Sequence, residues 1–133
     1  MAFVLDASVV LSWYFADEPA ALASSVLDRL RQQGATAPVL WWFEVRNGLL
    51  ISERRGRTDA SQTAEILDQI DALPVRLDAT QDSETVLALA RAHRLTVYDA
   101  AYLELARRRQ LPFATLDRAL GNAARAAAVP LLG

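Results

Sequence analysis

Lysine and cysteine are both missing from this 133-residue chain, and histidine occurs once, at His93. Without cysteine there is no disulfide and no thiolate metal site. One histidine leaves an ordinary histidine-based hydrolase short of parts, and His93 itself reads as a helix-end residue rather than a ligand. No Gly-x-x-x-x-Gly-Lys or Gly-x-Gly-x-x-Gly occurs, so a phosphate-cradling nucleotide loop is not expected. The longest uncharged apolar stretches, residues 9–16 and 35–43, are too short to span a bilayer. No basic region precedes the first apolar residues, so no secretory signal is expected, and the expectation is a cytoplasmic protein with no membrane partner. The net charge of −2 gives no overall electrostatic case for nucleic acid. Any chemistry here falls to carboxylates.

What is present is an apolar-rich chain, 53% hydrophobic, which excludes disorder and fits one domain over residues 1–133. Phe3-Val4-Leu5 reads as a short buried strand that ends on Asp6 and turns directly into a helix, with Ser8 a candidate N-cap. Asp17-Glu18-Pro19 opens a second helix by the same logic, and Gly34 stops it. Residues 35–38 are weakly strand-like, and a helix follows over 39–55, closed by Gly56. Thr58 or Asp59 caps a further helix. Pro74-Val75-Arg76-Leu77 is a strand ended by Asp78, and Thr80 or Asp82 begins the next helix. Asp99 stands where another helix begins, running to about Gln110. Residues 111–116 form a strand, Asp117 opens a helix, and Val129-Pro130-Leu131-Leu132 is a last strand, which Pro130 confines to an edge. Strands alternating with helices predict a three-layer α/β/α sandwich around a central parallel sheet of about five strands.

Three acids share one situation: Asp6, Asp99 and Asp117 each sit at or just before a helix start, and Asp6 and Asp117 each follow an apolar strand. N-capping accounts for any one of them. Two together mean more, because parallel strands deliver their C-terminal residues to one edge, where ligands of α/β sheets bind. Glu44 interrupts the apolar run around Trp41, Trp42, Phe43 and Val45; on a helix it shares a face with Leu40, Asn47 and Ile51. Either it edges an apolar stripe as a surface residue, or it joins the strand-end acids with Asn47 one turn on. If all four converge, pairs at roughly 7 Å and an effective dielectric near 20 repel by about 2 kcal/mol each. Six pairs sum to about 14 kcal/mol, the order of a domain's whole stability. Shared protons, a cation or a partner's arginine must relieve it, and oxygen-only ligands suit Mg²⁺ or Mn²⁺. Ser8 and Thr115, each two residues from an acid, can hold ligands or waters behind the first layer, or serve only as cap and strand-end hydroxyls.

These residues together resemble a known family. Asp6-Ala7-Ser8 after an apolar strand, Glu44 with Asn47, Tyr98-Asp99-Ala100-Ala101-Tyr102-Leu103 and Phe113-Ala114-Thr115-Leu116-Asp117 are similar to the PIN domain, most closely to the VapC-type toxin ribonucleases of bacterial toxin–antitoxin pairs. The resemblance runs along essentially the whole chain, in order. It implies metal-dependent endoribonuclease activity on structured RNA such as tRNA, with Mg²⁺ or Mn²⁺ as cofactor. Asp6, Glu44, Asp99 and Asp117 become the catalytic acids, with Asp6, Asp99 and Asp117 on the metal and Ser8, Asn47 and Thr115 behind them. Some relatives carry a further acid after the fourth; here Arg118 and Ala119 follow Asp117, so one ion at rest is expected. Cleavage by a metal-activated water is expected to leave a 5′-phosphate and a 3′-hydroxyl. A cognate antitoxin is the implied protein partner, with homodimerisation also expected.

Two arginine clusters, Arg54, Arg55 and Arg57 and then Arg107 to Arg109, are candidates for phosphate contacts, with Arg107 and Arg108 chosen from the second. Charged helix ends complementing the dipole would look the same. Trp13, Tyr14, Trp41 and Trp42 are expected mainly in the core. Receiver and haloacid-dehalogenase folds share the layering, but both use a lysine at the phosphoryl site and a second acid where Ser8 stands. The remaining alternative is a non-catalytic RNA- or protein-binding module on the same fold. Four acids without a metal are poor at binding phosphate.

Overall fold

The computed structural model describes residues 2–16 and 21–132. A four-stranded, fully parallel sheet runs in the order β3-β2-β1-β4, with β1 Phe3–Leu5, β2 Ala35–Pro38, β3 Val75–Asp78 and β4 Phe113–Ala114. The chain steps outward from β1 to β3 through α1 Ala7–Phe15, α2 Ala21–Gln33, α3 Leu40–Arg54 and α4 Ala60–Asp71. It then returns through α5 Ser83–His93 and α6 Val97–Arg109 to lay β4 on the other side of β1, followed by α7 Arg118–Ala126. Right-handed crossovers put helices inserted on outward and return steps on opposite faces, which makes the three layers. The reversal at β1 opens a crevice between the carboxyl ends of β1 and β4.

Strands β1, β2 and β4 are buried on both faces, with Phe3, Val4, Leu5 and Phe113 fully buried, while the edge strand β3 leaves Arg76 and Leu77 exposed. Tyr102 of α6 lies under the sheet with its ring centroid 5.7 Å from that of Phe113. On the other face α1 and α3 touch at Gly48, where a Cβ would stand only 2.4 Å from Leu11 Cδ1; the glycine lets Leu11 nest into α3.

Several expectations need correcting. The fifth strand is reduced to a single parallel bridge, Phe113 to Leu131, held by Phe113 N–H to Pro130 O (2.8 Å) and Leu132 N–H to Phe113 O (2.8 Å). Proline has no N–H to extend the ladder, so pairing stops there. The predicted opening of α2 at Asp17-Glu18-Pro19 lies outside the described residues. Asp6, not Ser8, occupies the N-cap position of α1. Asp99 lies inside the first turn of α6, and Thr96 caps that helix by accepting the Asp99 N–H (3.1 Å). Trp41 is in the core, Trp13 and Tyr14 are half-buried, and Trp42 is exposed, with the Arg46 guanidinium 3.8 Å over its ring.

Candidate active site

The carboxyl edge of the sheet gathers the four acids from four elements. Asp6 follows β1, Asp117 follows β4 and caps α7 by accepting the Leu120 N–H (3.1 Å). Glu44 lies in the second turn of α3, which starts straight after β2, and Asp99 lies in the first turn of α6. Asp6 is buried, Glu44 and Asp99 half-buried, and Asp117 exposed.

Asp6 is held by two hydroxyls. Ser8 Oγ and Thr115 Oγ1 both donate to its Oδ2, each at 2.6 Å, leaving Oδ1 with neither bond. Each hydroxyl is itself oriented by a backbone N–H: Leu116 donates to Ser8 Oγ (3.1 Å) and Asp117 donates to Thr115 Oγ1 (3.0 Å). The turn after β4 is thereby tied to the turn after β1. Ser8 and Thr115 thus both bond the Asp6 carboxylate, and Ser8 caps nothing.

Glu44 has a different support. Tyr102 donates its phenolic O–H to Glu44 Oε1 at 2.5 Å, linking α6 to α3 across the sheet edge. Tyr102 stands in the quoted motif but was given no role from it; the signal that points to one is its spacing, three residues beyond Asp99 on the same helix face. Burial, reinforced by the charges of Asp6 and Glu44, drives the phenol's pKa far above its usual value, so it stays a donor. Asn47 shares a groove with Glu44 but makes no side-chain bond among the described residues.

Electrostatics shows that the acids are neighbours. Burial raises the Asp6 carboxyl above its usual range; the Ser8 and Thr115 bonds oppose this, and the Asp117 charge adds to the rise. Burial likewise raises Glu44 against the Tyr102 bond, with Asp6 and Asp99 adding to it. Asp99 is raised by burial, then by Asp117 and Asp6. No guanidinium enters among them in any ion pair of the described residues. The donor set is oxygen only and carries excess negative charge, which fits a hard divalent ion. Among the described residues no three such side chains are already drawn to ligand spacing.

Arg108 is not available for phosphate. Its guanidinium donates to Glu104 Oε1 (2.7 Å), to both Asp78 oxygens (3.3 Å each) and to Thr80 O (3.2 Å), while Arg109 Nε donates to Asp78 Oδ2 (2.8 Å). Two buried acids thirty and four residues away claim it, and only the folded chain could reveal the distant one. Arg54, Arg55 and Arg57 lie exposed at and beyond the end of α3, and Arg107 is exposed on α6.

A parallel α/β/α sandwich with carboxylates from β1, α3, α6 and β4 meeting at its strand ends defines a class, and the chain belongs to it: the PIN-domain family, whose model matches residues 3–126. Within the family it is 30% identical, over 125 residues, to Ribonuclease VapC3 of Pyrobaculum aerophilum, covering 92% of this chain and 94% of that protein. The same fold is found in the crystal structure of PAE2754 from Pyrobaculum aerophilum (TM-score 0.72, 24% identity, 92% of this chain and 86% of that one). It is found too in FitAcB from Neisseria gonorrhoeae (TM-score 0.70, 15% identity, 98% and 96%). A toxin–antitoxin complex from Klebsiella pneumoniae is more distant (TM-score 0.58, 18% identity, 87% of each chain).

Proposed function

We propose that this protein is a metal-dependent endoribonuclease, the toxin of a toxin–antitoxin pair, acting on structured RNA such as tRNA. The observation that carries the reading is a buried-edge acid cluster, mutually repelling and without a cationic partner among the described residues, in a chain homologous to Ribonuclease VapC3. Asp6, Asp99 and Asp117 would hold Mg²⁺ or Mn²⁺, and Glu44 completes the acid set. When bound, the ion supplies an activated water and stabilises charge on the phosphodiester. Ser8 and Thr115 keep Asp6 Oδ2 fixed, and Tyr102 keeps Glu44 in one rotamer, so little reorganisation is left for the reacting state. An antitoxin that placed an arginine among these acids would relieve the same repulsion. That a chain of the same fold forms a toxin–antitoxin complex in Klebsiella pneumoniae supports an antitoxin as the partner. No helix among the described residues is long and apolar enough to cross a membrane.

The test is Mn²⁺-dependent cleavage of bulk RNA by the purified chain, leaving 5′-phosphate ends. Asp6→Asn should lower it by more than about 100-fold, beyond the usual effect of losing a residue that only supports a metal ligand. The variant should melt no lower than wild type. Equal degradation by wild type and Asp6→Asn would assign the activity to a contaminant and end the reading.

A further inference from the structure

One groove beside the acids has walls of a different kind. Leu40, Phe43, Glu44, Asn47 and Tyr98 line a shallow, open groove of about 360 Å³. Phe43 and Tyr98 are 62% and 66% exposed, the two most open large apolar side chains among the described residues. Phe43 is braced edge-on by Trp42, ring centroids 4.9 Å apart, and Trp42 is in turn covered by Arg46, itself paired to Asp71 at 3.2 Å. The Tyr98 ring stacks on no other ring among the described residues. Glu44 is common to this groove and to the acid cluster, with Oε1 taken by Tyr102. Asn47 brings a free amide, both donor and acceptor.

We infer that this groove is a nucleobase subsite: an unstacked base of the RNA being cut lies against Phe43 and Tyr98, with its polar edge toward Asn47 and Glu44. The inference rests on the ribonuclease reading and adds where the strand is gripped. Single-stranded RNA is held by stacking on aromatic faces, with base edges read by amides and carboxylates. Continuity with the acid cluster favours this occupant, because a strand whose phosphate lies at the acids must place its neighbouring base within one nucleotide of them. A protein's apolar face laid over Phe43 and Tyr98 would instead cover Glu44 and give its carboxylate no donor beyond the Tyr102 hydroxyl. With 14 arginines, no lysine and a net charge of −2, affinity for RNA cannot come from bulk charge alone.

The test compares two short unstructured oligoribonucleotides, identical but for one being abasic, by fluorescence anisotropy with Mn²⁺ in an Asp6→Asn background. Adding Phe43→Ala and Tyr98→Ala should weaken the base-bearing strand about 10- to 100-fold and leave the abasic strand unchanged. Tyr98→Phe should restore the Tyr98 share. In the native chain with Mn²⁺, the same alanines should raise KM by that factor while kcat holds. Equal affinity of the two strands in the background protein overturns the subsite, as does equal weakening of both by the alanines. Unchanged RNA affinity with a loss of dimer mass in sedimentation overturns it too, and makes the face a protein interface. A wild-type chain that cleaves no RNA removes the ribonuclease reading and the subsite together. Cleavage with KM indifferent to both alanines removes the subsite alone.

Discussion

Asp6 and Asp78 form a matched pair. Each stands at the carboxyl end of a parallel strand, and each is 7% exposed. Burial works against both carboxylates. At Asp78 it is outweighed by the Arg108 bond, the Thr80 N–H and Arg109, and the carboxyl is held below its usual value. At Asp6 two hydroxyls are not enough, the Asp117 charge adds repulsion, and the carboxyl is raised. Position and burial are therefore not what set the direction in which a strand-end acid is shifted. What differs is the sign of its neighbours: one site is electrostatically closed, the other open.

The largest expected change breaks the closed site. Arg108→Ala leaves Glu104 buried without its partner and Asp78 with Arg109 alone. It should destabilise by about 3 kcal/mol, read as a fall in Tm of roughly 10 °C. Recovery of that loss in a Glu104→Leu background would show that it came from the stranded charge. Next, Tyr102→Phe probes the pocket's nearest equivalent of an arginine, a donor without charge. The ring keeps its packing on Phe113, and the donation to Glu44 is lost. Cleavage should fall about tenfold, in kcat rather than KM, with Tm little changed.

In the open site the sign of the stability effect should reverse. Asp99→Asn removes one of the mutually repelling charges and should raise the Tm of metal-free protein by a few degrees, about 1 kcal/mol. A fall instead would mean that the acids are already compensated. The smallest effect is the pH dependence in EDTA. For Asp6, Glu44 and Asp99 the folded state binds protons more tightly than the unfolded chain, so their contribution to stability declines as pH rises above the ordinary carboxyl range near 4. Asp78 acts oppositely: its contribution is complete above its unfolded value near 3.8 and is lost as pH falls through its lower folded value. Melting curves should show the first trend flattened by Mn²⁺ and the second unaffected.

How far the chain could be read follows from what each feature depends on. Asp6 and Asp117 were legible because parallel strands share an edge, which follows from strand and helix alternation alone. Glu44 was legible as a charge interrupting an apolar run. The partner of Arg108 was not, since Asp78 lies thirty residues away and no local pattern joins them. Ser8 was legible only as a choice of roles, because a hydroxyl after a strand suits either a helix N–H or a carboxylate, and the fold shows it sharing Asp6 Oδ2 with Thr115, which arrives from the far end of the chain. The last strand shrank to one bridge because apolar periodicity does not register where Pro130 ends a ladder.

The hydroxyl clasp on the first acid has a consequence in time. Asp6 and Thr115 are 109 residues apart, so at roughly 5–20 residues per second a ribosome leaves the first strand waiting on the order of 5–20 seconds for its last neighbour. Until then β4 does not exist and the fourth acid has not been made. A nascent or prematurely terminated chain carries every earlier acid yet no finished pocket.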